Sequence, residues 1–169
     1  MPSQRMTWES TIEDSLNNLS CFLNESVWFG RENEIINIFA HRFLLAQLNK
    51  GPLTDLSQIG IEVAVRQIQK PGGKKLVRKD LVLWNHPLDT VWVNRAAVNS
   101  PAAILEWKTG KIAKCEADIS WLLAYTAVFP QVLGYSICAC TGERRGIWFR
   151  KIKKGHVGRT LFFGDNVNS

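Results

Sequence analysis

The order of helix-like and strand-like segments is the feature of this sequence that most limits its fold. Apolar residues recur at helical spacing over residues 7–23 and again in ENEIINIFAHRFLLAQL. Three strand-like segments follow, in the order IGIEVAVRQ, LVRKDLVLW and AAILEWK. The segment CEADISWLLAYTAVF is helical up to Pro130, and two more strand-like segments come after it, VLGYSICACT and GIWFRKIKK. This order predicts an α/β domain with a mixed central β-sheet flanked by helices.

The length and composition indicate a single globular domain. A chain of 169 residues with 46% hydrophobic and 21% charged residues can bury a sizeable core. We divide it into an N-terminal amphipathic helix at residues 1–25, a core at residues 26–155 and a tail at residues 156–169. The apolar face of the first helix must bury against the domain or against a partner chain. A homodimer or a larger complex formed through this helix is therefore one expectation.

The segment between the second and third strands is expected to be an insertion. Residues 85–101, which include HPLDTVWVNRAAVNSP, fit neither a long helix nor a strand of the sheet. We predict that they form a hairpin or loop beside the site and influence the choice of substrate.

Charge and hydropathy narrow the possible partners. The chain has neither an apolar run of membrane-spanning length nor an N-terminal segment of the signal-peptide kind, so we expect a cytoplasmic protein without a membrane partner. Its net charge of +6 suits a polyanion such as nucleic acid. The charge is equally compatible with a basic protein that binds no nucleic acid.

The stretch AILEWKTGK places charged residues inside an apolar strand. Side chains two apart on a strand share a face, so Glu106 and Lys108 should project together, about 7 Å apart. Asp80 lies in the preceding strand, within RKDLVLW, and can approach both if the two strands are neighbours. Two converging carboxylates repel unless one is protonated or a cation joins them. A hard divalent ion such as Mg²⁺ would resolve this repulsion.

This pattern resembles a known family. Asp80 followed by Glu106-Trp107-Lys108, within the order of helix, strands, helix and strand, is similar to the PD-(D/E)xK phosphodiesterase superfamily over roughly residues 30–150. Lys79 stands where the family usually has proline. The resemblance implies a restriction-endonuclease-like core in αβββαβ order, with an extra N-terminal helix. It also implies that Asp80 and Glu106 bind Mg²⁺ or Mn²⁺, while Lys108 assists the attacking water.

Many members of the family also carry a glutamate on the helix before the sheet. The segment Gly30-Arg31-Glu32-Asn33-Glu34 matches that position, and we assign the catalytic and metal-binding role to Glu34, with Glu32 as the alternative. Basic residues near the strand ends and after Glu106-Trp107-Lys108 are the candidate nucleic-acid contacts: Lys74, Lys75, Lys111, Lys114, Arg144 and Arg145.

The sequence thus predicts a metal-dependent nuclease. We expect it to hydrolyse phosphodiester bonds in DNA, with RNA left open as a substrate, as an endonuclease or exonuclease. A restriction, repair or mobile-element system is the expected setting. The alternative is a catalytically inactive nucleic-acid-binding or assembly subunit with the same fold.

Overall fold

The helices and strands follow the predicted order. The computed structural model describes residues 6–68, 72–110 and 118–164. Its helices are α1 (Trp8–Ser26), α2 (Glu32–Ile38), which continues as a π-helix at Phe39–Leu44, and α3 (Ile119–Val128). Its strands are β1 (Ile59–Arg66), β2 (Leu76–Leu83), β3 (Trp92–Val93), β4 (Ala96–Ala97), β5 (Ala103–Thr109), β6 (Leu133–Cys140), β7 (Gly146–Lys153) and β8 (His156–Gly164). Within these described ranges, no helix has the length and apolar character needed to cross a membrane.

Six strands form one mixed sheet in the order β1-β2-β5-β6-β7-β8. Strand β5 is antiparallel to β2 and parallel to β6, and the other neighbouring pairs are antiparallel. The predicted mixed sheet is confirmed. The segment predicted as a tail at residues 156–169 instead begins with β8, which pairs with β7 and forms one edge of the sheet.

The two faces of the sheet are covered by different helices. Leu105 and Trp107 of β5 lie in a buried cluster with residues of α1, α2 and the π-helix. Ile104 lies in a second cluster with Leu122 and Tyr125 of α3. Successive side chains of β5 therefore pack into two cores, one on each face of the sheet. The domain has three layers of helix, sheet and helix.

The apolar face of α1 is buried inside the domain. Ile12, Leu16, Leu19 and Leu23 have no solvent exposure and belong to the larger core cluster. This packing corrects the expectation of a dimer or complex formed through that face, because the domain itself covers it.

Strand β1 exchanges faces partway along its length. Ile59 and Ile61 pack on the side of α1, whereas Val63 and Val65 pack on the side of α3. Simple alternation would keep Ile61, Val63 and Val65 on one face. The exception arises at Glu62, whose φ of 53° lies in the left-handed region and rotates the strand between Ile61 and Val63.

The insertion at residues 85–101 forms a hairpin, as predicted. Strands β3 and β4 pair antiparallel, and the two residues between them have positive φ, as type I′ turns require. The hairpin is anchored by Val91, which is buried in the α3-side core. It leaves β2 at Leu83, opposite Ala103, and Lys108 lies about 16 Å further along β5. The insertion therefore leaves the sheet at the end away from Lys108. Its return arm reaches Arg66 of β1, whose Nη1 donates to the Val98 carbonyl at 3.2 Å.

Candidate active site

The site begins where β2 and β5 separate. Their pairing runs from Leu83 opposite Ala103 to Leu81 opposite Leu105 and stops there. Beyond that point the Trp107 backbone N–H donates to Asp80 Oδ2 at 2.8 Å. The Asp80 carboxylate thus accepts the hydrogen bond that a strand carbonyl would otherwise accept, and it lies between the two separating strands.

Glu106 is buried beside a lysine. Its Oε1 atom lies 2.5 Å from Lys79 Nζ, and the two side chains are only 6% and 8% exposed. The Lys79 ammonium also lies 3.6 Å from the centre of the Trp121 ring. Burial raises the pKa of Glu106 to about 7; Lys79 opposes this rise, and the charges of Asp80 and Asp118 add to it. Glu106 therefore changes its charge near neutral pH.

Lys108 is surrounded by oxygen atoms. Its Nζ donates to the Trp107 carbonyl at 2.7 Å and lies 3.4 Å from Asp118 Oδ2 and 3.7 Å from Glu32 Oε1. Burial lowers the pKa of Lys108, but the negative charges of Asp118, Glu32 and Asp80 outweigh that effect and raise the pKa above its usual value. Lys108 consequently stays protonated at neutral pH.

The helix carboxylate near Lys108 is Glu32, not the preferred Glu34. Glu34 is exposed, and its Oε2 accepts a hydrogen bond from the Arg31 backbone N–H at 2.6 Å, so it caps α2. Burial is the main cause that raises the pKa of Glu32, with Lys108 opposing and Asp80 adding to the rise. The structure thus brings the alternative glutamate to the site and leaves Glu34 outside it.

Two residues of the site were missed by the sequence analysis. Lys79 resembled one of several surface lysines, and its only signal was its place directly before Asp80. Asp118 carried a clearer signal, because an aspartate directly before an apolar helical run often marks a helix start; it stands at the N-cap of α3. We call the assembled group the Glu106 cluster, and its members are Glu32, Lys79, Asp80, Glu106, Lys108 and Asp118.

The Glu106 cluster is negatively charged when all its groups are ionised. Four carboxylates then face two ammonium groups, which leaves an excess of two negative charges. Within the described part of the chain, no three His, Cys, Asp or Glu side chains are gathered so that they could hold a metal ion. Mg²⁺, however, is usually bound by only one or two carboxylates and several waters. The oxygen donors and the charge excess therefore fit such a water-rich site.

Basic turns lie at the same end of the sheet. Lys74 and Lys75 are exposed in the connection between Arg66 and Leu76, which are paired at the ends of β1 and β2. Arg144 and Arg145 lie in the β6–β7 turn, beyond the parallel ends of β5 and β6. Of these four, Arg145 also has a structural contact, since its Nη1 donates to the Trp28 carbonyl at 2.9 Å. Lys111 and Lys114 lie outside the described residues.

No protein-family model, no curated protein and no solved structure matches this chain.

Proposed function

We propose that this chain is a metal-dependent nuclease that hydrolyses phosphodiester bonds in DNA. The observation that carries the proposal is the opening between β2 and β5, where the Asp80 carboxylate enters the strand pairing beside Glu106 and Lys108. A carboxylate pair with a charged lysine at the end of a sheet, flanked by basic turns, suits a phosphate substrate.

The topology supports the proposed membership of the PD-(D/E)xK superfamily. Helix α2, strands β1, β2 and β5, helix α3 and strand β6 follow one another in the αβββαβ order that the resemblance implies. These four strands are also neighbours in the sheet in that order, with the last two parallel.

The residues of the Glu106 cluster have distinct roles in the proposal. Asp80 and Glu106 would hold Mg²⁺ or Mn²⁺, with Glu32 as a further carboxylate in the place first assigned to Glu34. When bound, the ion polarises the phosphate and lowers the pKa of a coordinated water. Because Lys108 stays protonated, it cannot accept a proton, and it instead orients the water or stabilises negative charge on the phosphate.

A cleavage panel tests this function. Supercoiled, linear, branched and single-stranded DNA, with matching RNA, are incubated with Mg²⁺, Mn²⁺ or EDTA. Endonuclease activity would nick supercoiled circles, whereas exonuclease activity would spare them. We expect Asp80→Asn and Glu32→Gln to lose metal-dependent cleavage, and Glu34→Gln to keep it. Glu34 is the matched control because it lies on the same helix outside the cluster. Full cleavage by Asp80→Asn would contradict the proposal.

A second candidate is favoured by the contact between Lys79 and Glu106. A carboxylate held at 2.5 Å by a buried ammonium is less available to a metal ion. The chain would then bind nucleic acid with the same fold and cleave nothing, or serve as an assembly subunit. Binding of the panel substrates without cleavage under any metal would favour this candidate.

A further inference from the structure

A short loop beside the Glu106 cluster presents an aromatic side chain to solvent. Residues 27–31, which we call the Phe29 loop, connect α1 to α2, and Phe29 is 83% exposed. The neighbouring Trp28 packs against the larger core cluster. A phenyl ring this exposed lacks the stabilisation that burial would give it, so the contacts that hold it outward require an explanation.

The Phe29 loop is fixed on both sides of the phenylalanine. Before it, the Trp28 carbonyl accepts a hydrogen bond from Arg145 Nη1 at 2.9 Å. After it, the Arg31 N–H donates to Glu34 Oε2 at 2.6 Å. Between them, Gly30 lies so close to the Trp28 ring that an added Cβ would stand 2.4 Å from it. Turning Phe29 inward would disrupt this packing, so its exposure is a property of the fold.

Three arginines lie near Phe29, and the Glu106 cluster is close to it. Arg31 and Arg144 are exposed, and Arg145 is half-buried beneath the loop. The acidic groups nearby are Glu25, which is exposed on the last turn of α1, Glu143, which is exposed in the β6–β7 turn, and Glu34, which caps α2. Glu32 of the Glu106 cluster follows Phe29 by three residues, a span of at most about 10 Å of chain.

We propose that Phe29 is a stacking platform for an unpaired nucleobase of the substrate. The inference rests on the proposed function and narrows its substrate class to single-stranded or locally opened nucleic acid. The faces of bases inside a duplex are already covered by their neighbours, whereas an unpaired base offers a free face to an aromatic ring. Arginines beside the ring would contact the adjoining phosphates. DNA and RNA share this base chemistry, so both are included in the test.

The test is equilibrium binding by fluorescence anisotropy with the full chain in EDTA, which separates binding from cleavage. The probes are a labelled single strand and a duplex of the same sequence, each as DNA and as RNA. We expect Phe29→Ala to weaken single-strand binding about tenfold or more, on the scale of losing one stacked base. Phe29→Trp should bind like the wild type, and Phe29→Leu should be as weak as Phe29→Ala.

A matched control and the salt dependence make the test specific. Leu88 is 82% exposed on the inserted hairpin, so Leu88→Ala removes an equally exposed apolar side chain at the other end of the sheet and should change nothing. Phe29→Ala should leave the slope of log affinity against log salt unchanged, because no phosphate contact is lost. Thermal unfolding should match that of the wild type, because Phe29 is exposed.

Several results would overturn the inference. Unchanged single-strand binding by Phe29→Ala, or full binding by Phe29→Leu, would show that the aromatic ring does not stack on a base. Absence of oligonucleotide binding by the wild type would also overturn it. So would self-association of the wild type in sedimentation that Phe29→Ala abolishes, because Phe29 would then be a contact between copies of the chain. The proposed nuclease activity fails separately, if the wild type binds single strands through Phe29 but cleaves nothing with Mg²⁺ or Mn²⁺. If it cleaves while Phe29→Ala binds normally, only the inference on Phe29 fails.

Discussion

Asp80 occupies a position in which its charge and its hydrogen bonding both matter. Trp107 is fully buried, and its backbone N–H has the Asp80 carboxylate as its acceptor. A buried N–H without an acceptor destabilises a fold, so the aspartate also has a structural function at the point where the strands part. Removal of the Asp80 carboxylate would therefore relieve charge repulsion but would also leave the Trp107 N–H without its acceptor.

The two functions of Asp80 can be separated by two substitutions. Asp80→Asn keeps a side-chain oxygen as acceptor for the Trp107 N–H, whereas Asp80→Ala leaves that group without one. We expect Asp80→Ala to have a free energy of unfolding lower than that of Asp80→Asn by about 1–3 kcal/mol. Both should lack cleavage. Urea denaturation gives the comparison, and equal stabilities would show that the hydrogen bond contributes nothing.

Lys79 is the residue whose neighbours make the clearest stability prediction. Lys79→Met removes the ammonium beside Glu106 and leaves a carboxyl group buried without its cation. We expect a loss of about 3 kcal/mol, at the lower limit for a broken buried pair because Glu106 can take up a proton. The double variant Lys79→Met with Glu106→Gln should recover most of that loss. Strictly additive effects in urea denaturation would contradict the coupling of the two groups.

At the scale of the elements, the sequence predicts what depends on local periodicity. The helical spacing in α1 and the apolar runs of β2, β5 and β6 mark those elements directly. Strand β8 escaped prediction because its first residues are exposed and its pairing with β7 is what makes it a strand. The exchange of faces in β1 depends on one backbone angle at Glu62, and no pattern of residue types specifies such an angle.

The candidate site was predictable in part for the same reason. Asp80, Glu106 and Lys108 converge because their strands are neighbours, which the order of elements indicates. The choice between Glu32 and Glu34 depended on where α2 begins. Glu34 is the third residue of α2 and reaches back to the N-cap backbone, a role that acidic residues at this position often take. Lys79 joins the site only because the three-dimensional fold brings it to Glu106 and Trp121.

Helix α1 is attached to the sheet by a charged contact that gives a pH-dependent prediction. Lys151 of β7 donates to Glu9 Oε1 at 2.5 Å and to Glu13 Oε1 at 2.8 Å. The hydrogen bond from Lys151 is the main cause that lowers the pKa of Glu9 below its usual 4.5. A lowered carboxyl pKa stabilises the fold above the unfolded value, and this contribution is lost as the pH falls through the folded value.

Glu9→Gln should therefore cost stability at neutral pH and nothing in strong acid. Since Glu9 is about one third exposed, we expect the difference in unfolding free energy to be about 1 kcal/mol or less. Urea denaturation at several pH values gives the difference from the wild type, which should shrink as the pH falls below 4.5. Glu25→Gln, on the exposed last turn of the same helix, serves as the control. A constant difference at all pH values would show that the charge of Glu9 is not the cause.

At the scale of the whole molecule, the two ends of the sheet differ in what they carry. The Glu106 cluster, the β1–β2 turn with Lys74 and Lys75, and the β6–β7 turn lie at one end. Exposed lysines also lie at the other end: Lys154 in the β7–β8 turn, and Lys50 near Pro52, whose carbonyl accepts a hydrogen bond from Gln58 at the start of β1. Exposed positive charges therefore lie at both ends of the sheet, and only one of these ends adjoins the site.

This arrangement allows a test of where the proposed nucleic-acid substrate binds, using two double variants that each remove two positive charges. Lys74→Ala with Lys75→Ala removes two positive charges beside the cluster, and Lys50→Ala with Lys154→Ala removes two at the far end. If each of Lys74 and Lys75 neutralises one phosphate, the first variant should reduce the slope of log affinity against log salt by about 1.4 for a single-stranded probe, which is about 0.7 for each phosphate. For a duplex probe the reduction should be about 1.8, or about 0.9 for each phosphate. The second variant should keep the slope and affinity of the wild type, since its lysines lie away from the bound strand. Binding is measured by anisotropy over a range of NaCl concentrations in EDTA. Equal losses in both variants would mean that diffuse net charge attracts the nucleic acid, and that the end carrying the Glu106 cluster has no special part in binding.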